Sequence, residues 1–174
     1  MNEIGQHPGS TAFLLAQVGA HAAAKFAERM AVLGLSPAHA GTLRIVHRRS
    51  GITQQELSSV LGVGASRLVE LVDELEGRGL VERRTRPEDR RAHALHLTRK
   101  GILQCDAIGK IARAHDEAIC AALSAEEHAA LGKLLARIAD EQGLTPGVHP
   151  GFSRLGRRPP GQPDPDASRK PTRG

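Results

Sequence analysis

The chain has 174 residues and a formal net charge of +5 from 24 Lys+Arg and 19 Asp+Glu, a length that suits one ordinary domain with a tail. Its only aromatic hydrocarbon side chains are three Phe, with no Tyr or Trp, so the core falls to aliphatic residues and stacking of nucleobases on aromatics is not expected as a working principle. No uncharged apolar run approaches the roughly 18 residues of a membrane span, and no basic segment precedes an apolar stretch, so a cytoplasmic protein with no membrane partner is expected.

From Thr11 to Leu33, apolar residues recur at helical spacing (Leu14, Leu15, Val18, Ala22, Phe26, Met30, Leu33), which predicts a long helix stopped by Gly34. Ser36-Pro37 pairs an N-cap residue with Pro at the first helical position, opening a helix through Leu43, Ile45 and Val46 to about Ser50-Gly51. Thr53 and Glu56 have the spacing of a capping box for a third helix, which carries Leu57, Val60 and Leu61 and ends near Gly62. A fourth follows at once, with Val63, Leu68, Leu71, Val72 and Leu75 on one face and Gly77 and Gly79 as terminators.

Leu80 to Arg86 and Arg91 to Leu97 read as strands, with Pro87-Glu88-Asp89-Arg90 as the turn between them. Thr98 caps a long helix through Ile102, Leu103, Ile108, Ile111 and Ile119. Ser124 and Glu127 have capping-box spacing for a last helix to about Gln142. Both final helices carry more apolar residues than a surface helix of a small monomer needs. Beyond Thr145, seven Pro and five Gly predict a disordered segment.

The charge is a matter of location. Residues 78–100 hold eight basic and three acidic residues, and residues 151–174 six and two. The remainder holds ten basic and fourteen acidic, so the body is slightly acidic. A basic segment on such a body is the electrostatic footprint of a nucleic-acid contact, although a solvated hairpin shows it too.

The third and fourth helices, joined by a tight Gly-containing turn, form a candidate helix-turn-helix. Leu57, Leu61, Val63, Leu68 and Leu71 supply its apolar side, while Gly64, Ala65, Ser66, Arg67 and Glu70 lie on the open face. That geometry sends the start of the second helix into the major groove, where small residues permit close approach and polar ones reach base edges. In the hairpin, Arg83, Arg84, Arg86, Arg90 and Arg91 are lifted towards a projecting tip, and narrow minor grooves attract inserted Arg. Asp89, two residues before Arg91, is placed to orient it while leaving part of its donor fork free. Any helical hairpin shows the first pattern and a solvated loop the second; their succession predicts DNA binding.

Residues 11–143 resemble the MarR family of winged-helix transcriptional regulators. The resemblance is carried by Thr53-Gln-Gln-Glu-Leu-Ser-Ser-Val-Leu-Gly-Val, Leu71-Val-Asp-Glu-Leu-Glu-Gly-Arg-Gly-Leu-Val-Glu-Arg83, Pro87-Glu-Asp-Arg-Arg91 and Leu97-Thr-Arg-Lys-Gly101, in the family's order and spacing. It implies a mainly α fold with a small β-hairpin wing, a winged helix-turn-helix with N- and C-terminal dimerisation helices. The divisions are then a flexible N-terminus (1–10), a dimerisation helix (11–35), a DNA-binding domain (36–98), dimerisation helices (99–143) and a disordered Pro/Gly/Arg-rich tail (144–174).

The resemblance further implies a homodimer on a palindromic double-stranded operator, acting as a repressor released by a small-molecule effector. Arg91 matches the family's minor-groove Arg and Asp89 its orienting acid, with recognition-helix contacts at Ala65, Ser66, Arg67 and Glu70. Members often carry a basic residue where Glu70 stands; Glu70 instead holds Arg67 or accepts from cytosine N4.

The sensing half is less legible. The resemblance places an effector pocket between the dimer helices and the winged domain, near His39, Arg44 and His47, and its occupant is unknown. Cys105 and Cys120 fall on one predicted helix, about 22 Å apart along its axis, too far to bridge within a subunit. Structural thiols are expected, with oxidation sensing through Cys105 and Cys120 as the alternative. His21, His39, His47 and His115 offer a metal reading, but no short-spaced ligand pair accompanies them, so neither metal nor cofactor is expected. With no Gly-rich phosphate loop and no Gly-x-Ser-x-Gly elbow, no catalytic set and no enzyme are expected. A sequence-tolerant architectural DNA-binding protein is the rival from another class.

Overall fold

The computed structural model describes residues 9–85, 93–145 and 147–148. In chain order these form α1 (Thr11–Ala31), α2 (Pro37–Arg48), β1 (Ile52–Thr53), α3 (Gln54–Leu61), α4 (Ala65–Gly77), β2 (Val81–Thr85), β3 (His93–Leu97), α5 (Arg99–Ile119) and α6 (Ala125–Glu141).

Helix starts follow the local chemistry. Ser10, Ser36, Thr53, Thr98 and Ser124 each stand in extended backbone and accept from an N–H of the first helical turn. Both expected capping boxes form, Thr53 with Glu56 and Ser124 with Glu127. A third pairs Ser36 with His39, whose ring nitrogen replaces the usual carboxylate. Stops are less regular. The first helix ends at Ala31 and not at Leu33, because Leu33 and Gly34 donate back three residues, to Met30 and Ala31, and tighten the final turn. Gly77 is the last residue of α4, and Gly79 makes the left-handed turn at φ +67°.

The sheet has one strand more than the expected hairpin. β1 pairs with β3, and β3 with β2, in the order β1-β3-β2, all antiparallel. Ile52 lies opposite Leu95, and Val81 opposite Leu97. Ile52, Leu95 and Val81 are buried and close one side of the core over α2, α3 and α4, from which Leu43, Val46, Leu57, Leu68, Val72 and Leu75 are sealed. Met30 of α1 and Ile108 of α5 join this cluster.

A close approach fixes how the sheet leads into α5. Thr98 donates from Oγ1 to the Gly79 carbonyl at 2.6 Å, accepts from Gly101 N–H at 3.0 Å, and donates its own N–H to Leu80 at 3.1 Å. Gly101 therefore sits directly on the Leu80 carbonyl, where a Cβ would lie 2.0 Å from the oxygen. The Leu-Thr-x-x-Gly junction is thus a packing device: only glycine fits.

By contrast, α6 buries none of its residues. Leu131, Leu134, Leu135 and Ile138 on α6 are exposed, as are Phe13, Leu15 and Val18 on α1 and Ile102 and Leu103 on α5. Among the described residues no helix is long and apolar enough to cross a membrane.

Candidate nucleic-acid interface

α3 and α4 are joined through Gly62, whose left-handed backbone (φ +63°) ends α3, and the turn is held by the Ser58 hydroxyl donating to the Val63 carbonyl at 2.6 Å. Leu68, Leu71, Val72 and Leu75 seat α4 in the core. Gly64, Ala65, Ser66 and Glu70 are exposed on its other side, and Arg67 is half-exposed. Unlike the five helices capped by Ser or Thr, α4 begins at Gly64 with no side-chain cap and no acid in its first turn. Its first N–H groups and the positive end of its dipole stay open to an anionic partner. Arg67 and Glu70 pair at 2.6 Å along the exposed face, so Glu70 does hold Arg67.

β2 and β3 run out from this helix pair. Arg83 turns inward: it bonds Asp73 at 2.5 Å and Glu76 through its other guanidinium nitrogen, with its side chain only 20% exposed. Its backbone N–H also reaches Glu76 at 3.3 Å. Arg83 is therefore a clamp from β2 to α4, with both terminal guanidinium nitrogens engaged by α4 carboxylates. Sequence reasoning missed Asp73 and Glu76, although their spacing of three places them on one helix face. Arg84 is exposed and bonds Glu82 at 2.9 Å through Nε. Arg86, Asp89, Arg90 and Arg91 lie outside the described residues.

Behind the interface, a cavity of about 590 Å³ lies between α1, α2 and α5. Ala22, Phe26, Ala40, Ile108 and Ala112 give it apolar walls, and Arg44, His47, Asp106 and His115 bring charge or polarity. Burial, and then the nearby Arg48, lower the Arg44 pKa; the guanidinium donates to the Gly147 carbonyl at 2.7 Å. His115 stacks at a tilt on Phe26, with ring centroids 5.4 Å apart, and meets Arg29 at 2.5 Å. Its pKa is lowered by burial and then by Arg29, against the smaller opposing pull of Asp116.

Of the residues near the expected pocket, Arg44 and His47 line the cavity. His39 does not; it is buried, with Nδ1 accepting from the Ser36 N–H at 3.1 Å and Nε2 bonded to Glu74 at 2.8 Å. The four histidines do not assemble as ligands, since His39 and His115 are bonded to Glu74 and Arg29. Both cysteines are free and half-buried. Burial, and then Asp106, push the Cys105 thiol up to about 11, away from the reactive thiolate.

Two short helices with a glycine turn, packed against a small antiparallel sheet at the entrance to a long helix, define a winged helix-turn-helix protein. The MarR family profile matches residues 33–92. A putative transcriptional regulatory protein for the hcr operon of Thauera aromatica is 33% identical over 113 residues, covering 65% of this chain and 68% of that protein. Wild-type MarR of E. coli in its apo form superposes with a TM-score of 0.69 at 25% identity, over 76% of this chain and 98% of that one. A cysteine-to-serine mutant of E. coli MarR complexed with operator DNA gives 0.63 at 26%, over 73% and 91%. The chain belongs to the MarR family, and is a transcriptional regulator rather than an enzyme.

Proposed function

We propose that the protein is a homodimeric repressor that binds a palindromic operator through α4 and the wing and is released when a small molecule enters the α1–α2–α5 cavity. One observation carries the DNA reading: α4 is the helix whose uncapped N-terminus, flanked by Ala65, Ser66 and Arg67, faces away from the core. Ala65 and Ser66 allow close approach to base edges, and Arg67, steered by Glu70, supplies a donor fork. Arg84, Arg86, Arg90 and Arg91 add phosphate and minor-groove contacts, with Asp89 orienting Arg91.

The exposed Leu131, Leu134, Leu135 and Ile138 of α6, with Phe13 and Val18 of α1, favour a second copy of this chain as the dimer partner. The division of the chain into a DNA-binding unit at 36–98 flanked by dimerisation segments at 11–35 and 99–143 rests on the same faces. Apolar walls with the Arg44 guanidinium among the lining groups favour an effector that is a small organic anion with an apolar body.

Selection from random DNA, with wild type and Arg67→Ala side by side, tests the reading. Wild type returns a two-half-site motif and Arg67→Ala a changed one; the same motif from both overturns the base-reading role of Arg67. Arg91→Ala loses about 1–3 kcal/mol of operator binding with the fold intact, and unchanged affinity overturns the wing assignment.

A further inference from the structure

At the far end of α5, away from the DNA face, three side chains of different chemistry converge. Asp116 and Cys120 stand four residues apart, one helical turn, and therefore on one side of the helix. His128 comes from the first turns of α6. One donor atom from each, a carboxylate oxygen, a thiol sulfur and an imidazole nitrogen, lie within 4.8 Å of one another. Nε2 of His128 is already 3.3 Å from Oδ2 of Asp116.

The corner that brings them together is built locally. Cys120 caps α5 by donating to the Asp116 carbonyl at 3.0 Å, and Leu123 donates to the Cys120 carbonyl at 2.9 Å. Ser124 and Glu127 close their capping box, and His128 N–H bonds the Ser124 carbonyl at 2.9 Å. The ligand positions are thus set by two helix ends and a short connection, without help from the core, which α6 does not touch with any buried residue.

We propose that Asp116, Cys120 and His128 form a binding site for a borderline divalent transition ion, with Zn²⁺ as the best match. Zinc takes sulfur at about 2.3 Å and nitrogen or oxygen at about 2.0–2.2 Å in a tetrahedron. Those bonds place neighbouring donors about 3.3–3.8 Å apart; His128 and Asp116 are already at 3.3 Å, and the cluster as a whole, within 4.8 Å, has only to tighten around the ion. A mixed S, N, O set disfavours Ca²⁺ and Mg²⁺, which take oxygen ligands. Three protein ligands leave the fourth position to water, on the side where Asp116 is exposed. On binding, the Cys120 thiol yields its proton to solvent and coordinates as thiolate.

The ion pins α6 to the end of α5. Because α6 carries the apolar stripe assigned above to the dimer, occupancy sets the angle at which that stripe is presented. That consequence rests on the dimer reading; metal binding itself does not.

The test is titration of the full-length, reduced protein with Zn²⁺ against a chromophoric chelator, repeated with Co²⁺ to read thiolate-to-cobalt charge-transfer absorption. Wild type is expected to take up one ion per chain and to show the thiolate band. Loss of an outer-sphere partner alone costs about 10–100-fold, so Cys120→Ser and His128→Gln each weaken binding at least about tenfold, whereas Cys105→Ser does not. No uptake by wild type, a cobalt spectrum without the thiolate band, or equal uptake by wild type and the Cys120→Ser/His128→Gln double variant overturns the proposal. Sedimentation of the same samples with and without Zn²⁺ reads the dimer separately: a metal-bound protein whose dimer is unaffected overturns only the link to α6.

Discussion

His39 donates from Nε2 to the Glu74 carboxylate across 2.8 Å, and so joins α2, which lines the cavity, to α4, the helix proposed to enter the DNA groove. The donor is fixed by the other side of the ring, where Nδ1 accepts the Ser36 N–H and leaves the proton of the neutral imidazole on Nε2. His39→Ala breaks this tie and leaves the Ser36 N–H without its imidazole acceptor, opening one half of the capping box, and is expected to cost about 1–3 kcal/mol in urea unfolding. A double-mutant cycle with Glu74→Ala is expected to show coupling of about 1 kcal/mol. Strictly additive losses would show that the bond contributes nothing.

Gly101 meets the Leu80 carbonyl so closely that a methyl group has no room. Gly101→Ala is therefore expected to destabilise by about 2 kcal/mol or more. Gly77→Ala, at a helical position with nothing within 4 Å of the added carbon, is expected to stabilise by up to about 1 kcal/mol. Thermal unfolding of the two variants should move the melting temperature in opposite directions; a shared direction would contradict the close approach at Leu80.

Thr42 is fully buried, and its hydroxyl has no hydrogen-bond partner among the described residues. Thr42→Val keeps the shape and removes the unsatisfied oxygen, and is expected to stabilise by about 1 kcal/mol. A rise in the urea midpoint at constant slope is the expected result. A fall would mean that the hydroxyl is satisfied.

His115 titrates below its ordinary value of 6.5 in the folded protein, chiefly from burial and then from Arg29. The unfolded chain therefore binds the proton more tightly, and the contribution to stability is present above the unfolded pKa and declines as pH falls through it. Between about pH 7.5 and about pH 5.5, wild type should lose more stability than His115→Asn. Greater acid sensitivity in the variant would reverse the sign of the argument.

Much of this architecture is written in short-range chemistry. The pairs Thr53/Glu56 and Ser124/Glu127 announce their helices because capping uses residues three apart, and the structure forms both boxes. Ser36 with His39 was half legible: the cap residue stands out, but an imidazole in the carboxylate's role depends on Glu74, 35 residues on. β1 was not legible, since the two residues Ile52 and Thr53 are a strand only because Leu95 and Ala94 lie beside them. The same holds at the site. Ala65, Ser66, Arg67 and Glu70 could be placed from apolar periodicity, which leaves them on the open face. Arg83 could not, because a cation count does not reveal that Asp73 and Glu76 occupy its guanidinium.

The central claim is that α4 and the wing read sequence rather than charge alone. It is tested most directly by the ratio of wild-type affinities for a selected palindromic duplex and for a scrambled duplex of the same length, measured at one salt concentration. A ratio of about 10³ or more is predicted. A ratio near one, with affinity that falls steeply with salt for both duplexes, would contradict it and indicate a sequence-tolerant architectural protein.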